Sequence, residues 1–289
     1  MFSTANTFKL ILPTEEQIVF GIDDTSPDWV GLIGQAGVTS SVDLRESRSN
    51  ISRADGEILG ASFFGTRSVV ADIFIVDTFP ETRGNKIAKL QRVNYLLRET
   101  GLLQWTETET SAIGKQLPVR LQSFPTITHN SNPTKSYQIS LTSTQPHIES
   151  QNEIVETFVP EEETDVFTFT LTNEGDWMSY PVIKITTPAG ITADTTDLTI
   201  TNTFNNKQLK IENLEIEPEM ELIIDNRPTK KTITQTIDLT TSNIYNKLNV
   251  VSEFINFEAG ENPIEFDFNN YNFDVDEIEI EFSYRYAWI

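Results

Sequence analysis

Strict alternation of apolar and polar residues in the second half of the chain most limits how it can fold. In residues 166–172, Phe167, Phe169 and Leu171 fall on one side and threonines fall on the other. In residues 278–286, isoleucine, phenylalanine and tyrosine likewise occupy every second position. Successive side chains of a strand point to opposite faces of a sheet, so this period predicts strands with one buried face.

Turn-forming residues recur between these alternating runs, as at residues 173–175 (Asn-Glu-Gly), 188–190 (Pro-Ala-Gly) and 269–270 (Asn-Asn). Short strands separated by such turns are typical of an antiparallel β-sandwich. We therefore predict a sandwich for the second half.

The first half also favours strands. Residues 57–64 and 68–77 are largely apolar runs with a break at Gly65-Thr66, and they predict a long hairpin. Shorter strands are predicted at residues 8–12, 18–22, 102–105, 117–124 and 135–143. The fold class is therefore mainly β.

Residues 85–99 change to the period of an amphipathic helix. Their apolar stripe consists of Ile87, Leu90, Val93 and Leu97. Asn85 is a suitable N-cap, and Gly101 stands where a left-handed C-terminal cap is expected. The flanks carry Lys86, Lys89, Arg92 and Arg98. Nucleic-acid binding is one interpretation of these cations, but a solvated flank or a contact with an acidic neighbour is favoured.

Charge divides the 289-residue chain into two halves. Residues 1–150 carry 13 Lys and Arg against 16 Asp and Glu, a net charge of −3. Residues 151–289 carry 8 against 27, a net charge of −19, which gives −22 for the whole chain. The composition changes just after Gln145-Pro146-His147, so we predict two domains, 1–149 and 150–289. The acidic domain repels the phosphates of nucleic acids and anionic membranes.

The sequence offers few groups for catalysis or for binding a metal. It has no cysteine, and its two histidines, His129 and His147, lie in separate polar segments. Asp23-Asp24 and Asp274-Val275-Asp276 resemble fragments of calcium loops but lack the full spacing. Residues 31–34 (Gly-Leu-Ile-Gly) lack the remaining glycines of a phosphate-binding loop. We therefore expect no enzyme activity, no catalytic residue, no metal and no cofactor.

Hydropathy gives no indication of a membrane protein. No run approaches 18 apolar residues, so no membrane-spanning helix is expected. The first residues, Met-Phe-Ser-Thr-Ala-Asn, do not have the pattern of a signal peptide.

The order of these elements resembles the siphophage tail-component family, the distal tail proteins of long-tailed phages with non-contractile tails. The resemblance runs through residues 60–69 (Gly-Ala-Ser-Phe-Phe-Gly-Thr-Arg-Ser-Val), the helix at 85–99 and residues 137–147. It continues through residues 171–175 (Leu-Thr-Asn-Glu-Gly) and the last strand at 282–289.

The resemblance implies an N-terminal ring-forming β domain with a helix and a long hairpin, followed by a C-terminal galectin-like antiparallel β-sandwich. It implies a structural virion protein at the tail tip, made in the host cytoplasm, that forms a hexameric ring, either single or stacked. Such a ring joins the tail tube protein to the tail-associated fibre or hub protein and docks receptor-binding proteins. DNA passes through its channel without specific binding.

Two expectations concern surfaces. Within the ring, the strand at 68–77 would offer its edges to neighbouring subunits, and the acidic domains would project outward with little self-association. The alternative function is a carbohydrate-binding module or adhesin that recognises cell-surface glycans. Trp177 and Trp288 are its candidate stacking residues, because tryptophan combines a large apolar surface with a polar N–H.

Overall fold

The computed structural model describes residues 7–21, 30–36, 44–50, 57–75, 88, 91–92, 95–106, 113–123, 127–128, 135–143, 145–160, 165–228, 230–269, 271 and 278–289. The chain divides into two compact units, residues 1–151 together with Ile289, and residues 152–288. We call the first the barrel unit and the second the sandwich unit. Both are built almost wholly from strands, so the predicted fold class, mainly β, is confirmed.

The barrel unit has eleven strands among its described residues. They are β1 (Thr7–Ile11), β2 (Gln17–Gly21), β3 (Val30–Ala36), β4 (Leu44–Asn50), β5 (Glu57–Phe64), β6 (Arg67–Ile75), β7 (Gly101–Thr106), β8 (Gly114–Ser123), β9 (Ile127–Thr128), β10 (Lys135–Ser143) and β11 (Ile148–Ser150).

Seven of these strands close into a barrel in the order β8-β7-β1-β2-β3-β6-β10. The closure comes from the end of β8, where Leu121 and Arg120 pair with Leu141 and Thr142 of β10. All the pairs are antiparallel except β2 with β3, which run parallel. A closed barrel has no free edge along its main ladders.

The barrel core follows from alternation along its strands, since every second residue points inward. Its buried side chains come from β1, β6, β7, β8 and β10 and from the segment before β7. They include Phe8, Leu10, Val69, Leu97, Leu103, Trp105, Leu117, Val119, Ile139 and Leu141. The rings of Phe8 and Trp105 lie 6.1 Å apart, which ties β1 to β7.

Helical backbone is present in the segment predicted as a helix, at residues 88, 91–92 and 95–96. The predicted bounds, 85–99, fall partly outside the described residues and stay a prediction. The proposed cap at Gly101 is wrong, because Gly101 is the first residue of β7. A side chain cannot fit there: a Cβ atom would lie 2.7 Å from the carbonyl oxygen of Ile11 and 3.0 Å from Leu97.

The predicted hairpin between residues 57–64 and 68–77 is also wrong in its partners. Both strands exist, as β5 and β6, but β5 pairs with β4 in a separate two-stranded sheet. β6 pairs with β3 on one edge and with β10 on the other. A strand has only two hydrogen-bonding edges, so β6 has none left for β5. The long hairpin of this unit is therefore β4–β5.

The sandwich unit has eleven further strands and one turn of 3-10 helix, Tyr245–Lys247. The strands are β12 (Ile154–Phe158), β13 (Val166–Asn173), β14 (Val182–Thr186), β15 (Asp194–Asn202), β16 (Lys207–Ile216), β17 (Glu221–Asp225), β18 (Thr232–Ile237), β19 (Thr240–Asn243), β20 (Gly260–Asp267), β21 (Glu279–Tyr284) and β22 (Ala287–Trp288).

Two antiparallel sheets form the sandwich. One has the order β12-β21-β14-β17-β18-β19 and the other β13-β20-β15-β16. Their inner faces share one core in which Phe266 of the smaller sheet lies 5.9 Å from Phe282 of the larger, ring centre to ring centre. Phe167 and Leu171 are buried as the alternation predicts, and Phe169 packs against the same core. The predicted antiparallel sandwich is confirmed.

Candidate assembly surfaces

The residues considered for catalysis do not come together as a reactive site. His147 Nε2 lies 3.3 Å from Glu149 Oε1, which is a local hydrogen-bond contact two residues along the chain. His129 lies outside the described residues, as do both aspartate pairs, 23–24 and 274–276. Among the residues that the structure describes, no three His, Asp or Glu side chains are grouped to hold a metal ion.

Residues 31–34 belong to a paired strand rather than to a phosphate-binding loop. Gly31 pairs with Phe74 and Gly34 with Asp72, on either side of a register shift in the β3–β6 ladder. Their backbone therefore takes part in the barrel wall.

Trp177 is half-buried and held by its backbone. Its N–H donates to the carbonyl of Ala287 at 3.0 Å, and its own carbonyl accepts from Asn173 Nδ2 at 2.8 Å. The Trp288 ring packs edge-to-face on Tyr286, 6.3 Å between ring centres. Trp177 is thus fixed through its backbone and Trp288 through its ring, and their proposed role in glycan stacking stays a prediction.

The Asn173-Glu174-Gly175 segment forms a side-chain-closed turn. Asn173 Oδ1 accepts the backbone N–H of Gly175 at 3.1 Å, the local bond that makes Asn favourable in turns. Gly175 is required by space: a Cβ atom would lie 2.0 Å from the carbonyl oxygen of Ala287. The turn therefore brings the chain against the backbone near β22.

Ser179 continues this attachment. Its backbone N–H and carbonyl both pair with Phe257 at 2.8 Å, and its hydroxyl donates to the carbonyl of Arg285 at 2.6 Å. Segment 173–179 is thereby joined to two parts of the sandwich that are distant in sequence. Its polar residues, prominent in the sequence, have a structural role here.

Tyr284 is a buried titratable group whose hydroxyl has two close oxygen neighbours. Its hydroxyl lies 2.7 Å from Glu156 Oε1 and 3.0 Å from the carbonyl oxygen of Thr172. Burial, and then the hydrogen bond to Glu156, raise the pKa of Tyr284 well above its usual range. The Glu156 contact links β21 to its neighbour β12, and the Thr172 contact links β21 to β13 of the other sheet. The Tyr284 hydroxyl therefore helps to hold the two sheets together.

Acidic residues lie on the outer face of the larger sheet, as the alternation predicts. Ile280 and Phe282 of β21 are buried, whereas Glu279 is exposed and Glu281 half-buried. Lys184 on the neighbouring strand contacts Glu221 at 2.8 Å. That hydrogen bond is the main cause of the raised pKa of Lys184, and burial partly opposes it.

The basic helical segment of the barrel unit contacts an acid. Arg92 Nη2 lies 3.2 Å from Glu16 Oε2, just before β2. The Arg98 guanidinium lies 5.1 Å from the ring centre of Tyr95 on its own segment. The Arg92 contact agrees with the expected acidic neighbour. Lys86 and Lys89 lie outside the described residues, and the nucleic-acid interpretation stays a prediction.

Free strand edges are the structural features suited to assembly. The edges of β6 are both paired, so the expected role of residues 68–77 as an edge for neighbouring subunits is wrong. The β4–β5 hairpin pairs with no other described strand, and both its outer edges are open within the described part of the chain.

In the sandwich, the two sheet edges formed by β16 and β19 differ. The segment after the 3-10 turn runs along β16: Asn249 N–H donates to the Lys210 carbonyl at 2.9 Å, and Glu253 N–H to the Gln208 carbonyl at 2.7 Å. No described segment covers β19 in this way. β19 is thus a bare edge.

No helix in the described part of the chain is long and apolar enough to cross a membrane.

Comparison with known proteins agrees with this architecture. Residues 174–288 match the family model described as siphovirus-type tail component, C-terminal domain. The fold is similar to the crystal structure of Dit from phage SPP1, described as a paradigm of the hub adsorption apparatus in phages that infect Gram-positive bacteria. That match has a TM-score of 0.63 and 12% identity, and covers 96% of this chain and 98% of that one.

A second similar structure is the phage P2 baseplate in its activated conformation with calcium, with a TM-score of 0.45, 11% identity, and coverage of 96% and 97%. A search of curated protein sequences finds no match. The resemblance to the siphophage tail-component family is confirmed, for residues 174–288 by the family model and for the overall fold by the SPP1 structure. A tail component is part of the virion tail, which agrees with the predicted location.

Proposed function

We propose that this chain is a structural hub of a siphophage tail tip, which forms a hexameric ring between the tail tube and the fibre or hub protein. One observation carries the proposal: the likeness to the SPP1 hub protein spans both units in the same order, over 96% of the chain. A protein that shared only a sugar-binding sandwich would match over the second unit alone.

The β4–β5 hairpin is the proposed subunit contact of the ring. The barrel uses the edges of its own strands, whereas β4 and β5 are paired only with each other in the described residues. A hairpin with open edges pairs readily with another chain. Head-to-tail contacts of this kind close into a ring when the rotation between subunits permits it.

Charge supports the placement of the two units. With −3 in residues 1–150 and −19 in residues 151–289, contacts between subunits are less opposed by repulsion in the barrel unit than in the sandwich unit. In this proposal the barrel units form the ring around the DNA channel, and the sandwich units project outward to dock receptor-binding proteins. The acidic surface then carries no affinity for the DNA that passes.

Native mass spectrometry and negative-stain images of the purified full-length chain, alone and with tail tube protein, test this proposal. We expect hexamers, or two stacked hexamers, with a central channel. A chain that stays strictly monomeric at high concentration, with no ring when tube protein is added, would contradict it. Deletion of the β4–β5 hairpin should leave a folded monomer.

A further inference from the structure

Of the features that proteins use to protect exposed edges, β19 has only its short length. Its four residues, Thr240–Asn243, are all exposed and uncharged, and none is proline. Charged residues, prolines or a covering segment normally prevent such an edge from pairing with another chain. The same flank of the sandwich does have a covering segment, but it lies on β16. The edge of β19 is therefore available.

The register of β18 with β19 determines which backbone groups face outward. Ile237 and Thr240 close a two-residue turn, and the Ile244 N–H donates to the Ile233 carbonyl at 3.0 Å. Hydrogen-bonded and non-bonded pairs alternate in an antiparallel ladder, so Thr240 and Ser242 point their backbone groups at β18. The N–H and C=O groups of Thr241 and Asn243 therefore point away from it.

Exposed apolar side chains come shortly before and after β19 in the chain. Leu239 lies in the turn just before β19, where its φ is 61°, and its side chain is fully exposed (100%). Tyr245 follows β19 by two residues and is 47% exposed, and Val250 and Val251, 98% and 77% exposed, lie in the loop that runs along β16. Solvent-exposed apolar groups that cluster beside an open edge mark a contact surface.

The loop that carries the two valines is held rigidly. Val251 N–H donates to Asn249 Oδ1 at 3.0 Å, and the Asn249 amide Nδ2 donates to Glu212 at 2.5 Å. At its base the rings of Tyr245 and Phe254 stack with their centres 6.1 Å apart. A compact loop with closed ends cannot easily turn its valines inward.

Charges near the edge have a polarity. Asp238 precedes Leu239 at one end, while Lys230 and Lys231 precede β18 at the other end, where Lys231 Nζ lies 5.0 Å from the Phe254 ring centre. Lys247 in the same region is already paired with Glu215. A second copy of β19 placed antiparallel to the first brings its own lysine end to the aspartate end of the first copy. Opposite charges then meet at both ends of the contact.

We propose that β19 pairs with β19 of a second copy of this chain about a two-fold axis centred on Ser242. In this register Thr241 of each copy lies opposite Asn243 of the other, and their outward backbone groups form four hydrogen bonds. Leu239 of each copy lies beside Tyr245 of the other, and Asp238 comes near the partner's lysines. The two six-stranded sheets become one continuous sheet.

The net charge of −19 does not prevent this contact at physiological salt. The screening length is about 8 Å there, so only charges close to the edge interact strongly. Residues 230–250, which include β19, carry three lysines (Lys230, Lys231 and Lys247) against one acid, Asp238. At about 0.01 M salt the screening length grows to about 30 Å and the distant acids of both copies repel each other.

Symmetry separates this contact from the ring proposed above. A two-fold contact uses the same patch on both copies, so it does not join neighbours within a cyclic ring. It doubles the copy number instead, from one chain to two or from one ring to two. The contact does not depend on the ring, and six weak contacts between two rings would act together.

The test compares full-length variants by light scattering after size exclusion in 0.15 M salt. Thr241→Pro removes an outward N–H and keeps the backbone hydrogen bonds of the β18 ladder, although it also removes the exposed hydroxyl contact with Thr236, and Leu239→Ser removes an apolar contact. We expect both to halve the mass of the wild-type particle while its thermal unfolding stays nearly unchanged. Val155→Ser, an exposed valine on β12 at the other end of the sheet, should keep the full mass. The wild-type doubling should weaken at 0.01 M salt.

A second measurement uses the absence of cysteine from the chain. Under mild oxidation Ser242→Cys should form a disulfide dimer, since non-hydrogen-bonded pairs bring their Cα atoms to about 4.5 Å. Val155→Cys should not. If wild type and Thr241→Pro have equal mass and Ser242→Cys stays monomeric, the proposal is wrong. If Ser242→Cys cross-links in purified virions only to a different tail protein, β19 is a docking strand for that protein and self-pairing is overturned. If wild type and every variant form single rings, the proposed ring is supported and the β19 pairing is wrong.

Discussion

The barrel unit and the sandwich unit solve the same problem of strand edges in different ways. The barrel closes β10 onto β8, so its main ladders have no edge; in the described residues of this unit, open edges are left at the separate β4–β5 hairpin and at the two-residue strand β9. The sandwich keeps two open sheets and covers β16 with a loop while β19 stays bare. Contacts with other chains are therefore expected at the hairpin in one unit and at a sheet edge in the other.

The largest loss of stability is expected when a core side chain is truncated in each unit, which compares how the two units unfold. Phe282→Ala removes a ring that packs within about 6 Å of Phe158 and Phe266, and should destabilise the sandwich unit by about 3–5 kcal/mol. Leu10→Ala should cost the barrel unit about 2–5 kcal/mol. Calorimetry and near-ultraviolet circular dichroism measure both. We expect each variant to destabilise its own unit. If either variant lowers the stability of both units equally, the two units unfold together and the comparison fails.

Close backbone approach in the sandwich can be tested at Gly175. Gly175→Ala places a Cβ atom against the Ala287 carbonyl, and the overpacking should lower the free energy of unfolding by about 1–3 kcal/mol. Gly190→Ala is the matched control, because nothing lies within 4 Å of the added atom. Chemical denaturation gives both values. A Gly175 variant as stable as the control would refute the proposed attachment of the 173–179 segment.

Alkaline pH should act on the sandwich through Tyr284. Its pKa is raised in the folded protein by burial and by Glu156, so the unfolded state loses this proton first, near pH 10. The stabilisation is complete below about pH 10 and falls as the pH rises further. Tyr284→Phe should cost about 0.5–1.5 kcal/mol at pH 7 and make stability less dependent on pH between about 9 and 11. Urea denaturation across that range measures it, and an unchanged pH slope would contradict the assignment.

The smallest effect is expected at the surface of the barrel unit. Arg92 and Glu16 form an ion pair in which the arginine is 65% exposed, so Arg92→Ala should change stability by less than about 1 kcal/mol. Thermal unfolding at low and high salt tests this. A larger, salt-resistant loss would mean that the cation has a structural role that the exposed geometry does not indicate.

Local structure was predictable from the sequence where alternation is strong. The predicted strands at 57–64 and 135–143 have the bounds of β5 and β10, and the faces of β13 and β21 were assigned correctly from their period of two. These features depend on each strand's own residues.

Partners were not predictable in the same way. Two residues between β5 and β6 favour a hairpin locally, yet β6 takes β3 and β10, which lie far away in the chain. In sequence Gly101 looks like a helix cap, since the close approach of the Ile11 carbonyl that requires a glycine there depends on barrel closure. The bare edge of β19 also requires the sheet order. A short uncharged strand looks the same in sequence whether its edge is covered or open.

The pairing of β21 has a consequence for how the sandwich unit is made. β21 lies between β12 and β14, so residues 154–158 cannot reach their hydrogen-bonding partners until residues 279–284 have been synthesised. During translation, β12 and β14 therefore leave the ribosome without their shared partner. Long-range pairing of this kind slows folding and exposes apolar strands while the chain waits. Net negative charge, dense in the same unit, should keep such nascent chains from aggregating during that interval.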